Sequence, residues 1–380
     1  MEPATARDAA ADCATLEAHY GGSPLHVEVE ASGLLERVSI PRAELLTFYL
    51  PLLHAFAARA AAAAPARVIV GVAGAAGSGK STTSGLLVAL ANALALAATG
   101  APFPLAAAIS MDGYHLTNAE LVERGLRARK GVVETIHGTA LAGDLELLRA
   151  AAAPAPRAPP PASAADPLGG RASWAGVDAD GSILFPIYDR AVTHDPKLCA
   201  QAVPRAARLV FVEGLFVARG DGRAVPGPLA SALPPDERVV GPDPTAWARV
   251  LAALDEIVLL AVPLALCRAR CLQRRLRAVR AEGAAAEAQA AKLAATASHY
   301  ERNDAPTWRA VVEGDAHRAS LIVRVPLPPA LAAACAAAAG DALAVPPESI
   351  VDALEADSAA AEARGDGIFA GATVERRGEE

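Results

Sequence analysis

The sequence predicts an α/β fold, a five-stranded parallel sheet between two layers of helices, built around a phosphate-binding loop. Three observations predict it. The run Gly74-Ala75-Ala76-Gly77-Ser78-Gly79-Lys80-Ser81 fits the spacing G-x-x-x-x-G-K-[ST]. It is preceded by the β-branched run Val68-Ile69-Val70-Gly71-Val72 and followed by Thr82, Thr83 and a Leu/Ala-rich stretch that stops at Gly100, giving strand, glycine loop and helix in order. Four further short apolar runs are separated by helical stretches, the pattern of parallel strands covered on both faces.

Residues 1–65 read as a helical N-terminal extension, with apolar Leu46, Tyr49, Leu50, Leu53 and Phe56 near helical spacing over Leu45 to Ala64. Pro51 predicts a kink or a late start there. A P-loop domain follows over 66–345. After the first strand, the most apolar stretch is Gly85 to Ala98; interrupted by Asn92, it reads as a core helix too short to span a bilayer. The second strand, Leu105 to Met111, ends at Asp112 and the third, Leu209 to Val212, ends at Glu213. A fourth covers Ile257 to Val262, and a fifth, Leu321 to Val325, precedes Pro326. Two inserts interrupt the order: a Pro/Ala-rich, low-complexity segment at about 151–182 and a Gly/Pro-rich surface segment at about 220–244. Residues 346–380 read as a charged tail.

Bulk composition narrows the function. The 380 residues are 53% hydrophobic but only 4% aromatic, so the core must be built from Leu, Val, Ile and Ala. A net charge of −7 with no long Lys/Arg run argues against nucleic acid as a partner. Five scattered cysteines, Cys13, Cys199, Cys267, Cys271 and Cys335, do not make a disulfide framework and point to a reducing compartment. Met1-Glu2-Pro3 does not open a signal peptide, and the expected location is the cytoplasm, with no membrane partner.

The loop carries the first chemistry. Glycines let backbone N–H groups turn inward on phosphate oxygens, and the helix N-terminus adds partial positive charge there. The cradle is Gly74, Ala75, Ala76, Gly77, Ser78, Gly79, Lys80, Ser81 and Thr82, with Lys80 reaching the β- and γ-phosphates and the Ser81 hydroxyl ligating Mg²⁺. Ligands of parallel sheets sit at the carboxyl ends of the strands, where Asp112 and Glu213 both fall. Asp112 is the candidate to orient an attacking hydroxyl and take its proton; the bland alternative is a turn cap. Tyr114 and His115 either line an acceptor pocket or pack. Glu213 is a candidate metal or acceptor contact. Arg268, Arg270, Arg274, Arg275, Arg277 and Arg280 lie on one predicted helix, a lid that could carry arginines over a transferring phosphoryl group, with Arg274 and Arg275 the preferred pair.

The order of P-loop, Met111-Asp112-Gly113-Tyr114-His115, Tyr188-Asp189-Arg190, Val212-Glu213-Gly214-Leu215 and Arg274-Arg275 resembles the phosphoribulokinase/uridine kinase family of small-molecule kinases, which includes type I pantothenate kinase. It is most similar to a bacterial and fungal branch with a Met-Asp-Gly-Phe-His-like segment, then Arg-Lys-Gly and Thr-Phe-Asp, and a late Asn-Asp-x-Pro. Here Arg129-Lys130-Gly131, Glu134-Thr135-Ile136-His137 and Asn303-Asp304-Ala305-Pro306 stand in those places. Ile136 and His137 replace the branch's Phe and Asp, and Thr307-Trp308 follow where Asn is expected. The resemblance covers about residues 66–326. It implies that Asp112 is the catalytic carboxylate, that Tyr188, Asp189 and Arg190 belong to an acceptor-binding loop, and that Glu213 is the acidic residue after the third strand. The departures fall on the acceptor side. His194 and Lys197 also lie within reach of an anionic acceptor or of solvent.

The expected activity is therefore ATP- and Mg²⁺-dependent phosphoryl transfer to a hydroxyl of a small metabolite: a nucleoside, a pantothenate-like acid, or a sugar or sugar acid. Two other classes are weaker. A GTP-driven switch or metallocentre-assembly factor lacks its guanine-reading Asn/Thr-Lys-x-Asp element, and a transporter-type motor lacks Leu-Ser-Gly-Gly-Gln. A nucleotide-binding protein without turnover sits poorly with a full set of catalytic residue types. Members of the resembled family often form dimers or tetramers, which allows a homo-oligomer.

Overall fold

The computed structural model describes residues 8–31, 34–64, 66–100, 105–150, 173–189, 193–220, 244–367 and 369–377. Its strands are β1 (Leu25–Ala31), β2 (Leu34–Ile40), β3 (Val68–Gly74), β4 (Ala106–Ser110), β5 (Gly176–Val177), β6 (Ile183–Asp189), β7 (Asp195–Val203), β8 (Leu209–Gly214), β9 (Glu256–Ala261), β10 (Leu321–Arg324) and β11 (Thr373–Arg376). The central sheet runs β11-β10-β9-β3-β8-β4. All neighbours are parallel except β10 and β11. The five expected strands are thus the parallel ones, and an antiparallel edge strand joins them. The loop strand β3 lies between β8 and β9, at the point where successive strands depart to opposite sides; such switch points open a crevice at the strands' carboxyl ends.

Alternating side chains of β3 divide the core into two layers. Val68, Val70 and Val72 face a cluster that includes Leu16, Phe56, Leu90 and Leu272. Ile69 and Ala73 face a second cluster with Met111, Leu141, Phe216 and Trp247. Each large apolar side chain so buried contributes about 2–3 kcal/mol before the entropy of ordering is subtracted. Within the apolar Lys80–Thr99 helix, Asn92 is no accident of composition. Its amide donates to Ala106 O at 3.0 Å and accepts from Ala106 N at 2.8 Å, which pins the start of β4. This helix has 20 residues, longer than the sequence reading allowed and long enough to cross a membrane on length and composition alone. Its apolar face instead packs on the sheet, with Leu86, Leu87, Leu90 and Leu94 buried.

Two expectations about organisation need correction. The N-terminal extension is not purely helical: between the Ala9–Tyr20 and Arg42–Ala62 helices stands the antiparallel β1–β2 hairpin. Pro51 stands in the first turn of the α-helical run Leu50–Ala62, which follows a π-helical turn over Leu45–Tyr49, in keeping with the late start expected there. The supposed charged tail is structured. The Pro347–Arg364 helix buries Ile350, Val351 and Leu354, and its Asp357 accepts hydrogen bonds from Ala330 N and Leu331 N at the start of the Pro329–Ala337 helix. Beyond it β11 is exposed on its side chains and is held by backbone pairing to β10. The two inserts lie mainly outside the described residues, at 151–172 and 221–243. Within the remainder of the first, Trp174 and β5 are ordered against the domain.

Candidate active site

The loop between β3 and the Lys80–Thr99 helix is built by conformations that a side chain would oppose. Gly77 and Gly79 take φ of 80° and 91°. A Cβ on Gly77 would stand 2.2 Å from Cys267 O, so the Leu264–Ala281 helix packs directly on the loop backbone. Lys80 Nζ donates to Ala75 O at 3.0 Å, which lays the ammonium back across the loop. Ser78 Oγ is buried and has no hydrogen-bond partner among the described residues. Thr83 Oγ1 donates to Gly79 O at 2.8 Å and satisfies the carbonyl at the helix start.

An acidic group faces this cradle. Glu213 lies on β8 in register with Val72 of β3 and Ser110 of β4, so strands on both sides fix it. Ser81 Oγ donates to Glu213 Oε1 at 3.1 Å. Burial pushes the Glu213 carboxyl up, and the nearby charge of Asp112 adds to this, while Lys80 and the Ser110 and Ser81 hydroxyls pull it down. Asp112 sits in the tight turn Met111–Tyr114, with its N–H on Ser110 Oγ at 3.2 Å. Met111 and Gly113 on either side of it are buried. Gly113 lies against β6, where a Cβ would come within 2.4 Å of Pro186 O. Packing thus holds the turn while the Asp112 side chain keeps 28% of its surface exposed. His115 Nδ1 lies 2.8 Å from Asp112 O and 4.0 Å from Oδ1.

The sheet β5–β6–β7 packs on the Met111–Tyr114 turn through β6 and β7. Of the two readings left open for Tyr114, packing is the observed one. It is fully buried, its hydroxyl donates to Asp144 Oδ2 at 2.6 Å, and its ring stacks on Trp174. Asp144 also accepts from Trp174 N and Ala175 N, which ties the end of the first insert to the core. His115 stays at the mouth, its ring 5.2 Å from that of Tyr188. The Asp189 carboxylate accepts from Thr193 N and Oγ1 and closes the β6–β7 turn. Arg190 lies outside the described residues. The His194 carbonyl is a hub for this corner, accepting from Tyr188 Oη at 2.6 Å and from Lys130 Nζ at 2.8 Å. Lys130 also donates to Asn118 Oδ1 and stands over the Tyr188 ring. Lys197 is exposed on β7.

The Leu264–Ala281 helix changes the choice of arginine. Arg268 is buried and donates to Ala342 O and Val345 O, a packing role. Arg270 is the residue over the loop: its Nη1 is the nearest atom to the space above Gly79, 3.9 Å from where a Cβ would be. Burial pulls its guanidinium down from its usual range, against the pull of Cys267 and Cys271. Arg274 is exposed and faces Asp304, whose carboxyl burial pushes up to about 7 against the charges of Arg274 and Lys80. No contact among the described residues brings Arg275 to the loop. Asp304 ends a π-helical turn, Tyr300–Asp304, just before Pro306, and Trp308 anchors that segment by donating from Nε1 to Val262 O at 2.7 Å beyond β9. The structure therefore brings Lys80, Ser81, Asp112 and Glu213 together, adds Arg270 and Asp304, and leaves Tyr114 and Arg275 out. Two signals were available for the additions: Arg270 and Arg274 share a helix face with Cys267 and Cys271, and Asp304 belongs to Asn303-Asp304-Ala305-Pro306.

Three solved structures are similar to the chain. A protein provisionally named a fructose transport system kinase, from Silicibacter sp. TM1040, is 23% identical, with 70% of this chain and 95% of that one covered and a TM-score of 0.45. The YGR205w protein is 14% identical over 68% of this chain and 85% of its own, with a TM-score of 0.40. YFH7 from Saccharomyces cerevisiae, provisionally named a P-loop kinase with a circular permutation, is 14% identical over 56% and 81%, with a TM-score of 0.38. No protein-family model matches the chain, and no curated protein matches it significantly. Likeness at these scores and identities carries nothing about chemistry, which rests on the residues.

Proposed function

We propose that the protein is an ATP-dependent kinase that transfers the γ-phosphoryl group to a hydroxyl of a small metabolite, in the manner of the phosphoribulokinase/uridine kinase family. The single observation that supports this most is the Ser81–Glu213 hydrogen bond of 3.1 Å with Asp112 close enough to raise the same glutamate. A phosphate cradle and two carboxylates thereby share one crevice.

The donor set fits an anionic tail and a divalent cation. One wall offers loop amides, the Lys80 ammonium and the Arg270 guanidinium; the other offers the Ser81 hydroxyl and Glu213. Among the described residues no group of three or more His, Cys, Asp or Glu is built to hold a metal. Mg²⁺ bound jointly with phosphates needs only one or two protein ligands, and Ser81 and Glu213 would supply them. An ion held by them would supply charge neutralisation to the transferring phosphoryl group.

The chain's own residues do the rest. Lys80 leaves Ala75 O and takes the β- and γ-oxygens, and Arg270 covers them from the lid helix, where a charge held out of water acts strongly. Asp112 accepts a hydrogen bond from the acceptor hydroxyl and takes its proton as the oxygen attacks in line. His115, held on the Asp112 carbonyl at 2.8 Å, stands beside that carboxylate. Tyr188 and Lys130, both held on the His194 carbonyl, form the acceptor wall. The location we infer is the cytoplasm, and the acceptor is a nucleoside, a pantothenate-like acid or a sugar derivative. The test is release of ADP from Mg-ATP against a panel of nucleosides, pantothenate, sugars and glycerate. Release stimulated by one class supports the reading, whereas nucleotide uptake with no stimulation by any hydroxyl compound counts against it.

A further inference from the structure

The N-terminal hairpin lies outside the family resemblance, yet it packs on the helix that follows the phosphate loop. Its inward face is apolar: Leu25, Val27, Val29, Val38 and Ile40 are all buried. Val29 presses on Gly85, where a Cβ would come within 3.1 Å of Val29 Cβ. Opposite Val29 in the register stands Glu36, so its side chain shares that face. One helical turn before Gly85, Thr82 Oγ1 donates to Glu36 Oε2 at 3.4 Å. A carboxylate on an otherwise buried apolar face, aimed at the first turn after the loop, is a departure from binary patterning that calls for a reason.

We propose that Glu36 is a specificity-determining residue that accepts a hydrogen bond from a ribose hydroxyl of the bound nucleotide; this rests on the nucleotide-binding reading above. Ser81 turns toward Glu213 and Asp112, the side where the terminal phosphate meets its acceptor. Thr82 is the next residue, about 100° further round the helix, and turns toward the hairpin instead. A triphosphate laid across the loop with its γ end at Asp112 therefore leaves its nucleoside toward Glu36. An ionised carboxylate only accepts hydrogen bonds and is repelled by phosphate oxygens. The donors that a nucleotide carries just beyond its α-phosphate are the two ribose hydroxyls. The Thr82 hydroxyl holds the carboxylate in place to meet them.

The experiment is calorimetric binding of Mg-ATP, Mg-2′-deoxy-ATP and Mg-3′-deoxy-ATP to the full chain, its Glu36→Ala variant and its Glu36→Gln variant. Wild type is expected to prefer ATP over at least one deoxynucleotide by roughly 10- to 100-fold, the worth of a hydrogen bond to a charged group. Glu36→Ala is expected to bind the same pair within about twofold of one another. If alanine fails to fold, the isosteric glutamine decides, with the preference falling at least about threefold. No preference in wild type, or a preference unchanged in the variants, overturns the inference and leaves the kinase reading standing. Absence of any nucleotide uptake by wild type defeats the kinase reading itself.

Discussion

Glu213 and Glu44 are both buried glutamates whose carboxyl groups burial pushes upward, yet their surroundings differ in kind. Glu213 is met by opposed influences: Asp112 raises it, while Lys80 and two hydroxyls lower it. Glu44 lies where the Arg42–Ala62 helix meets the C-terminal segment, and its Oε2 accepts from Phe369 N at 3.3 Å. Its neighbours are the packed rings of Phe48, Tyr49 and Phe369; the Phe369 N–H and the Tyr49 hydroxyl lower it and Asp366 raises it, and among the described residues no cation offsets its burial. One acid stands in a crevice among groups that can move a proton or hold an ion; the other fastens two ends of the chain. A raised carboxyl alone separates nothing, and the company it keeps does.

Asp112 gives the sharpest test of the first region. Asp112→Asn keeps the turn, since the Ser110 contact is to its backbone N–H, and removes the proton acceptor. Turnover is expected to fall by about 10²–10⁴-fold with Mg-ATP affinity within a few-fold of wild type. Steady-state kinetics beside calorimetry reads both, and a variant that keeps full turnover removes Asp112 from the mechanism.

The loop and the lid come next in size. Arg270→Gln is expected to lower turnover by about 10- to 1,000-fold, because it withdraws a guanidinium from a partly dehydrated site. Arg275→Gln is expected to change it less than about threefold, since nothing among the described residues brings that side chain to the loop. Equal losses for both arginines would show that the helix moves during turnover far more than the packing of its Cys267 on Gly77 implies.

How much of this was legible in sequence follows from where each signal is stored. The five parallel strands were readable because burial on both faces makes each an unbroken apolar run, and the loop because its chemistry is contiguous, from Gly74 to Ser81. The β1–β2 hairpin was missed although His26, Glu28 and Glu30 alternate with Val27 and Val29, a period of two that composition-level reading passes over. The strand β11 had no such signal, since every side chain on it is exposed and its backbone does the pairing. Arg270 and Asp304 reach the site through packing between segments distant in sequence. Sequence order favoured the adjacent pair Arg274-Arg275, but neighbours on a helix point about 100° apart, and only the face shared with Cys267 and Cys271 meets the loop. Tyr114 looked like a pocket residue because it follows Asp112; a tight turn sends it the other way, to Asp144.

Asp304 carries the comparison into titration. Its carboxyl sits near neutrality, beside Lys80 and Arg274. Bringing a polyanion to Lys80 raises it further, so nucleotide binding should take up a proton near pH 7 and weaken by several-fold as pH rises from 6 to 8. Calorimetry in two buffers of different ionisation enthalpy reads the proton directly, and Asp304→Asn should abolish the uptake. An uptake that persists in the variant moves the effect to another group.

Glu44 provides the smallest effect and the cleanest contrast. Burial raises its folded-state carboxyl from the ordinary 4.5 to about 7. Between those values the folded chain holds a proton that the unfolded chain has released. Stability from this group is therefore fully present below about pH 4.5 and is lost as pH climbs through 7. The shift bounds the loss at about 3 kcal/mol, and relaxation of the C-terminal segment will make it smaller. Glu44→Gln keeps the shape and cannot ionise, so its urea midpoint at pH 8 should exceed wild type and the difference between pH 5 and pH 8 should shrink. Turnover should stay within about twofold, because the clasp touches none of the groups around Lys80. A variant whose pH slope matches wild type would place the titration elsewhere, and one that loses turnover would join the two regions that packing keeps apart.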